Sequence, residues 1–379
     1  MQHADFLIVG AGMAGASAAY ELAAHGRVLL LEREAQPGYH STGRSAALYT
    51  QTYGHAVVRA LTVASWDFYN SPPDGFTGHP VLSPRGVLLI GRADQTVALE
   101  QAFAEGRRLT PSVERLDREE ALARAPMLRA EYVAGAVWEP EAMDLDVHAI
   151  HHGYLRGLKM RGGIQIGDAE VRAVERRDGL WVARTPAGDF AAPVLVNAAG
   201  AWADSLAALA GVRPIGLVPK RRTALTFDPV FDDTADAAGL AGWPMVIDVD
   251  ETFYFKPDAG RLLASPADET PVEPCDAQAE EWDVAVAVDR VEQAARFGIR
   301  RITHRWAGLR SFVADKVPVV GFDAEAEGFL WLAGQGGYGI QTAPAMARTA
   351  ASLAVGAGLP SDVAGLGVTP ADLSPARLR

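Results

Sequence analysis

The stretch DFLIVGAGMAGASAAYELAAHGRVLLLER, residues 5–33, decides the fold of this 379-residue chain. An apolar strand runs into a glycine turn, a small-residue helix follows, and a second apolar strand ends on an acid. Gly10 allows the tight turn, Gly12 lets backbone approach phosphate oxygens, and Gly15 lets the helix pack closely on the strand. The positive end of the helix then faces an anion. Glu32 stands at the spacing of an acceptor for a ribose hydroxyl. Strand, turn, helix, strand and terminal acid together predict a βαβ unit that binds a dinucleotide.

Outward from this unit, bulk properties narrow the remaining choices. A chain of this length exceeds what one hydrophobic core usually supports, so two joined domains are expected, and 49% apolar residues suffice to fill them. The formal charge of −12 argues against a nucleic-acid partner. Lys220-Arg221-Arg222 and Arg300-Arg301 are short and isolated, and read as solvated surface or a local anion site. The single cysteine, Cys275, leaves no partner for a disulfide or a thiolate metal centre and fits a reducing compartment. No apolar run approaches the roughly 18 residues of a membrane span, and the first strand begins too early for a secretory leader. A cytoplasmic protein with no integral membrane segment is expected.

Along the chain, PGYHSTGRSAALYT (37–50) reads as a long functional loop, and 59–69 as a helix. GVLLIG (86–91) reads as a strand, with helices near 95–108 and 117–124. Asp146 is a good N-cap for a helix ending at Gly162-Gly163, on which His148, His151 and His152 would share one face. No carboxylate cluster accompanies them, and no metal is expected. PVLVNAAG (193–200) repeats the strand and small-residue turn of the opening unit, either as a second approach to the cofactor or as an ordinary βα turn. The region 213–301 returns to strands, closed by a helix in EEWDVAVAVDRVEQAARF (280–297). In 328–358 an apolar strand, the loop GQGGYG and a long helix put unpaired N–H groups at one point, suited to a flavin ring edge that gains charge on reduction.

Taken in order, ADFLIVGAGMAGASAAY, EREAQPGYHSTGRSAA, VLVNAAGAW, PKRR, FYFKPDAG, WAGLRSFVAD and GQGGYGIQT resemble the flavin-dependent D-amino-acid oxidase and glycine oxidase family, most closely its bacterial D-arginine dehydrogenases. The resemblance implies a mixed α/β fold. A Rossmann-like domain (1–78, 141–218 and 306–379) would hold non-covalent FAD. A discontinuous substrate domain on a largely antiparallel sheet (79–140 and 219–305) would stand beside it. It also implies hydride transfer from the Cα of a D-amino acid to the flavin N5, giving an imino acid that hydrolyses to a 2-oxo acid and ammonia.

Carried over position by position, Gly10, Gly12, Ala14, Gly15, Glu32, Arg33, Ser41, Thr42, Arg44, Ser45 and Ala46 would contact FAD. Val171, Gly200, Gly337, Tyr338, Gly339, Ile340, Gln341 and Thr342 would complete its site. Arg222 and Arg310, with Tyr254 and Tyr53, would hold the substrate carboxylate, because a planar guanidinium grips a carboxylate bidentately. The Gly337 carbonyl or solvent would handle the amine, and 50–56 would form a lid. The pocket wall departs from the D-arginine enzymes: Val87 replaces an acid and Leu48 a histidine, with Thr50 beside them. A cationic side chain would lose its partner there, so apolar D-amino acids are expected to be preferred over D-arginine. No lysine stands in RLLAS (261–265) to assist oxygen reduction, which favours a dehydrogenase with another acceptor. A flavoprotein for secondary or N-methyl amino acids, of glycine, sarcosine or proline type, is the alternative.

Overall fold

In the computed structural model, which describes residues 1–108, 110–231 and 239–379, the opening stretch folds as read. Phe6–Val9 and Val28–Leu31 are parallel neighbours joined by the helix Met13–Leu22. Val194–Asn197 pairs in parallel on the other side of Phe6–Val9, and Phe329–Ala333 pairs in parallel with it in turn. Ile164–Ile166 and the antiparallel Val319–Phe322 are the two edges of a six-stranded sheet. These strands are continuously apolar because both faces are covered. Phe6, Ile8, Leu30 and Val196 pack beneath helices with Leu22 and Met346, while Leu7, Val9, Leu29 and Leu195 point the other way, towards Trp181, Phe190 and Leu206. The two-residue period of a strand divides one run between two cores.

A second, nine-stranded sheet carries Glu114–Asp117, Gly135–Glu139, Val87–Gly91, Met245–Asp248, Tyr254–Asp258, Arg261–Ser265, Val218–Phe227 and Thr270–Pro271, with Ile302–Phe312 paired to Val218–Phe227. All its pairings are antiparallel except that of Met245–Asp248 with Val87–Gly91. The helix Glu281–Ala294 closes one face through Ala287, Val291 and Ala294, against Phe227, Phe253, Phe255 and Phe297. The junction placed between residues 305 and 306 lies inside the continuous strand Ile302–Phe312, which runs from this sheet to the cleft between the sheets.

Three details differ from expectation. The helix placed at 59–69 is two helices, Ala56–Ala64 and Trp66–Asn70, broken at Ser65, whose hydroxyl donates to the Leu61 carbonyl. The three histidines of Val147–Met160 do not share a face. His151 falls on the buried stripe with Ile150 and Tyr154, whereas His148 and His152 are exposed and stack at 4.0 Å, one helical turn apart. Lys220-Arg221-Arg222 is not a solvated patch either. Arg221 is buried and paired with Glu280 and Asp283, Lys220 is bonded to Glu269 at 2.9 Å, and Arg222 is buried beside the cleft. Among the described residues no histidine, cysteine or carboxylate cluster is arranged to hold a metal, and no helix is long and apolar enough to cross a membrane.

Candidate active site

The glycine turn is built by contact with its neighbours. Gly10 has φ +101°, and a Cβ there would lie 2.4 Å from the Ala198 carbonyl oxygen, so the first turn and the turn after Val194–Asn197 touch through backbone. A Cβ on Gly15 would lie 1.8 Å from the Gly10 oxygen. Gly15 therefore serves the close approach of helix to turn and does not itself line the cleft. Glu32 accepts from the Ala11 N–H at 2.8 Å and the Glu34 N–H at 3.0 Å, so it braces the turn it was expected only to complement. Thr42 Oγ1 accepts from the Met13 N–H at 2.9 Å. His151 Nε2 donates to the Ala11 oxygen at 2.8 Å, and burial pushes its pKa down, which keeps the ring neutral behind the turn.

From this turn a cleft of about 370 Å³ extends to the strand Ile302–Phe312. Gly10, Gly12, Ala14, Glu32 and Arg33 line its first end, with Val171 and Gly200. Ser41, Thr42, Arg44, Ser45 and Ala46 follow along the loop, and Gly337, Gly339 and Ile340 close the far end. The turn 198–201 lines it too, so the second strand and turn is an approach to the cleft. The loop is held in place by Ser41 Oγ donating to the Leu309 carbonyl at 2.7 Å and Arg44 Nη1 to the Ala307 carbonyl at 3.0 Å. Tyr338 and Thr342 do not line the cleft. Tyr338 packs on Phe312 and Tyr53, and the Thr342 hydroxyl donates to the Tyr338 carbonyl at 2.8 Å. Gln335 and His40 were not singled out from the sequence. Both residues line the cleft, and among the described residues Gln335 Nε2 and His40 Nδ1 have no hydrogen-bond partner though buried. A long cleft that starts at a glycine turn and helix N-terminus and is lined by hydroxyls and arginines fits a large, polar, phosphate-bearing ligand.

A smaller chamber of about 80 Å³ adjoins the far end and shares Ser45, Ala46, Arg222, Tyr254, Arg310, Gly337 and Ile340 with the cleft. Leu48, Thr50, Tyr53 and Gln341 line the chamber alone, with Met245 and Ile247. Val87 does not reach it. That side chain is one layer back, packed with Leu48, Met245 and Tyr254. Arg310 Nη1 donates to the Tyr53 hydroxyl at 3.3 Å, and Tyr53 donates to Glu251 Oε2 at 3.2 Å. Burial pulls the Arg310 pKa down, but Tyr53, Tyr254 and Glu251 outweigh it and hold the guanidinium above its ordinary value. Burial also raises the Tyr53 pKa. Among the described residues no carboxylate oxygen lies within 4.0 Å of the Arg310 guanidinium, so a cation faces the chamber without an ion-pair partner. Arg222 is more engaged: its Nε donates to the Asp268 carbonyl at 2.8 Å and its Nη2 lies 3.4 Å from Glu269. Gly337 leaves room for the Arg310 side chain, since a Cβ there would lie 2.8 Å from Arg310 Nη1.

Two acids, one at the chamber and one behind it, escaped sequence reasoning as Gln335 and His40 did. Glu251 lines the chamber from a turn in which its own φ is +55°, held by Asp248, whose Oδ2 accepts from the Thr252 hydroxyl at 2.8 Å. Glu139 is 2% exposed and takes the Thr50 hydroxyl at 2.7 Å, so Thr50 offers that proton to the protein and not to the chamber. Neither acid sits in a motif. A lone Glu in a turn or at a strand end carries no sequence signal.

Comparison with known proteins agrees with this arrangement. An N-methyl-L-tryptophan oxidase of Escherichia coli O17:K52:H18 is 27% identical over 220 residues, which is 56% of this chain and 57% of that protein, so the chain spans little more than half the length of this relative. A glycine oxidase from Geobacillus kaustophilus superposes with a TM-score of 0.81 at 21% identity, over 94% of this chain and 95% of the other. An L-alpha-glycerophosphate oxidase from Mycoplasma pneumoniae, solved with FAD bound, superposes with a TM-score of 0.82 at 18% identity, over 94% and 95%. The model of the DAO family of FAD-dependent oxidoreductases matches residues 5–353, nearly the whole chain. This match, the paired turns and the long cleft that starts from them lead to one conclusion: the chain belongs to the DAO family of FAD-dependent oxidoreductases, and FAD is its cofactor.

Proposed function

We propose that this enzyme oxidises the Cα–N bond of an amino acid whose carboxylate is held by Arg310, assisted by Arg222, Tyr254 and Tyr53. The observation that carries this reading is the Arg310 guanidinium, which faces the chamber with no carboxylate within 4.0 Å among the described residues and with Glu251 reached only through the Tyr53 hydroxyl. A charge in that setting is stabilised by an incoming anion. In this reading residues of 1–78, 141–218 and 306–379 would hold FAD, while 219–305 brings Arg222, Met245, Ile247, Glu251 and Tyr254 to a chamber that Leu48, Thr50, Tyr53 and Arg310 complete. FAD, when bound, supplies the acceptor for two electrons and a proton, and the resulting imino acid hydrolyses in water to a 2-oxo acid and ammonia.

The protein's own part is orientation. Two guanidiniums and two tyrosines fix one end of the substrate, so that its Cα–H has a single approach. Leu48, Ala46, Met245, Ile247 and Ile340 form an apolar wall that favours leucine, phenylalanine or methionine side chains of the D series over D-arginine. The strand Arg261–Ser265 places Leu263 in the apolar cluster with Tyr254, and the nearby Lys256 is buried and bonded to Asp144 at 2.6 Å. No amine is thereby offered to oxygen from these strands, which supports a dehydrogenase using another acceptor.

The second reading is oxidation of a secondary or N-methyl amino acid. It is favoured by the similarity to N-methyl-L-tryptophan oxidase and glycine oxidase. Anaerobic mixing of the holoenzyme with D-leucine, D-phenylalanine, D-arginine, sarcosine, proline and N-methyl-L-tryptophan separates the two. Bleaching of the flavin absorbance by D-leucine, and weakly by D-arginine, is the expected outcome. Bleaching confined to sarcosine, proline or N-methyl-L-tryptophan overturns it in favour of the second reading.

A further inference from the structure

Glu139 ends the strand Gly135–Glu139, directly opposite Val87 in the register of the nine-stranded sheet. It is 2% exposed, and among the described residues no Lys, Arg or His nitrogen lies within 4.0 Å of its carboxylate. A buried carboxylate without a cation is costly unless other donors replace its water. Among the described residues, the partners of its side chain come from three consecutive positions. Oε2 accepts from the Thr50 hydroxyl at 2.7 Å and the Thr52 hydroxyl at 2.6 Å, and Oε1 accepts from the Gln51 N–H at 2.7 Å. Gln51 is tied again through its side chain, donating to the Tyr49 hydroxyl at 3.1 Å and accepting from Thr110 Oγ1 at 3.1 Å.

The next residue along is Tyr53, whose hydroxyl bridges Arg310 and Glu251 and whose ring meets Tyr338 edge-on at 5.1 Å. Gly54 follows with φ +87°, and a Cβ there would lie 2.8 Å from the Tyr338 ring. The segment 50–54 is therefore clamped at its start by one buried acid, and at its end it delivers the hydroxyl that touches the chamber's cation. We propose that Glu139 is a positioning residue for the substrate-binding reaction: by holding 50–52 it sets Tyr53 against Arg310. The proposal rests on the reading of the chamber as an amino-acid site. Because the described residues offer this acid no other side-chain partner, undocking the segment leaves a buried carboxyl group unsatisfied, and the docked segment and the satisfied acid stabilise each other.

The test uses FAD-loaded wild type, Glu139→Ala, Glu139→Gln, Thr52→Val, Tyr53→Phe and the Glu139→Ala/Tyr53→Phe double variant, in two measurements. In the first, amide hydrogen exchange is expected to speed up at 51–54 in Glu139→Ala and Thr52→Val while Phe6–Val9 is unchanged. In the second, anaerobic rapid mixing with D-leucine is expected to show an apparent Kd raised about tenfold in Glu139→Ala, with a limiting rate of bleaching changed less than about threefold. Glu139→Gln, which keeps the volume and one acceptor oxygen, should recover most of that affinity. If Glu139 acts through Tyr53, adding Glu139→Ala to Tyr53→Phe costs little more, whereas a merely structural role makes the two effects add. Additive effects, or unchanged exchange at 51–54, overturn the proposal. If no amino acid bleaches even the wild-type flavin, the substrate reading fails, and exchange at 51–54 still decides whether Glu139 holds the segment. Should Glu139→Ala not fold, Thr52→Val removes one of the three bonds and carries both measurements.

Discussion

Arg310 and Gly15 show what a single position controls here. Arg310 presents a guanidinium to the chamber with the Tyr53 hydroxyl as its one side-chain hydrogen-bond partner among the described residues. Replacing it by methionine removes the charge but keeps an unbranched stem. We expect kcat/KM for the preferred amino acid to fall on the order of 100-fold or more, with Arg310→Lys intermediate because it loses the bidentate fork. Steady-state assays of both variants check this, and an unchanged kcat/KM in the methionine variant rejects Arg310 as the anchor. Gly15 faces backbone, not solvent, and the 1.8 Å approach of a Cβ to the Gly10 oxygen leaves no room for alanine. Gly15→Ala should destabilise the protein by about 1–3 kcal/mol and leave it largely free of flavin, measured as flavin absorbance per protein. Gly15 was legible in the sequence from its spacing, and the block WAGLRSFVAD pointed to Arg310, whose place in the chamber the fold supplies. Gln335, His40, Glu139 and Glu251 were not, because each draws its meaning from atoms distant in the chain.

At the scale of elements, local rules and tertiary rules divide visibly on the helix Val147–Met160. Its start follows a local rule: Asp146 Oδ1 accepts from the Ala149 N–H at 2.8 Å. Burial raises the Asp146 pKa somewhat, but that bond and the nearby His79 outweigh it and hold the carboxyl below its ordinary value. A carboxyl with a lowered folded-state pKa stabilises the fold above its unfolded-state pKa and loses that contribution as pH falls through the folded-state value. Asp146→Ala should cost about 1 kcal/mol near neutral pH, with the gap between variant and wild type narrowing in acid. Thermal melts at the two pH values check the sign, and a gap that widens in acid contradicts it. Which face of the same helix is buried was not legible. His151 is turned inward because the helix Met13–Leu22 lies against that side, close enough that a Cβ on Gly157 would meet the Tyr20 ring at 2.4 Å. The loop 37–50 was recognisable as functional from its composition, but its shape depends on carbonyls of Leu309 and Ala307, more than 250 positions away.

On the scale of the whole molecule, the cleft and chamber exist because two sheets meet along the strand Ile302–Phe312. Its start pairs with Phe227 and its end carries Arg310 into the chamber. A cofactor seated against the turns of both strand-and-turn repeats, the loop 41–46 and the glycine loop touches segments from the whole length of the chain. FAD binding and global stability are therefore linked. At an FAD concentration a hundredfold above Kd the folded state gains about 2.7 kcal/mol. The apoprotein should melt at a lower temperature, and its melting temperature should climb with added FAD. A melting temperature indifferent to FAD, measured by calorimetry on apoprotein and holoprotein, contradicts this assembly of the site.

By itself the sequence determined the opening βαβ unit, the glycine turns, the strand-rich second half and the family resemblance. These rest on short-range spacing and on which residue types tolerate a turn, a buried strand or a helix start, and such preferences travel with the local chain. Only the tertiary structure decided that Val87 is one layer behind the chamber, that Arg222 is partly engaged by Glu269 while Arg310 is not, and that Glu139 and Glu251 stand at either end of the segment bearing Tyr53. The physical reason is that a buried charge is defined by its surroundings. Whether it is clamp, brace or idle depends on which donors and acceptors, brought from distant positions, replace the water it has lost.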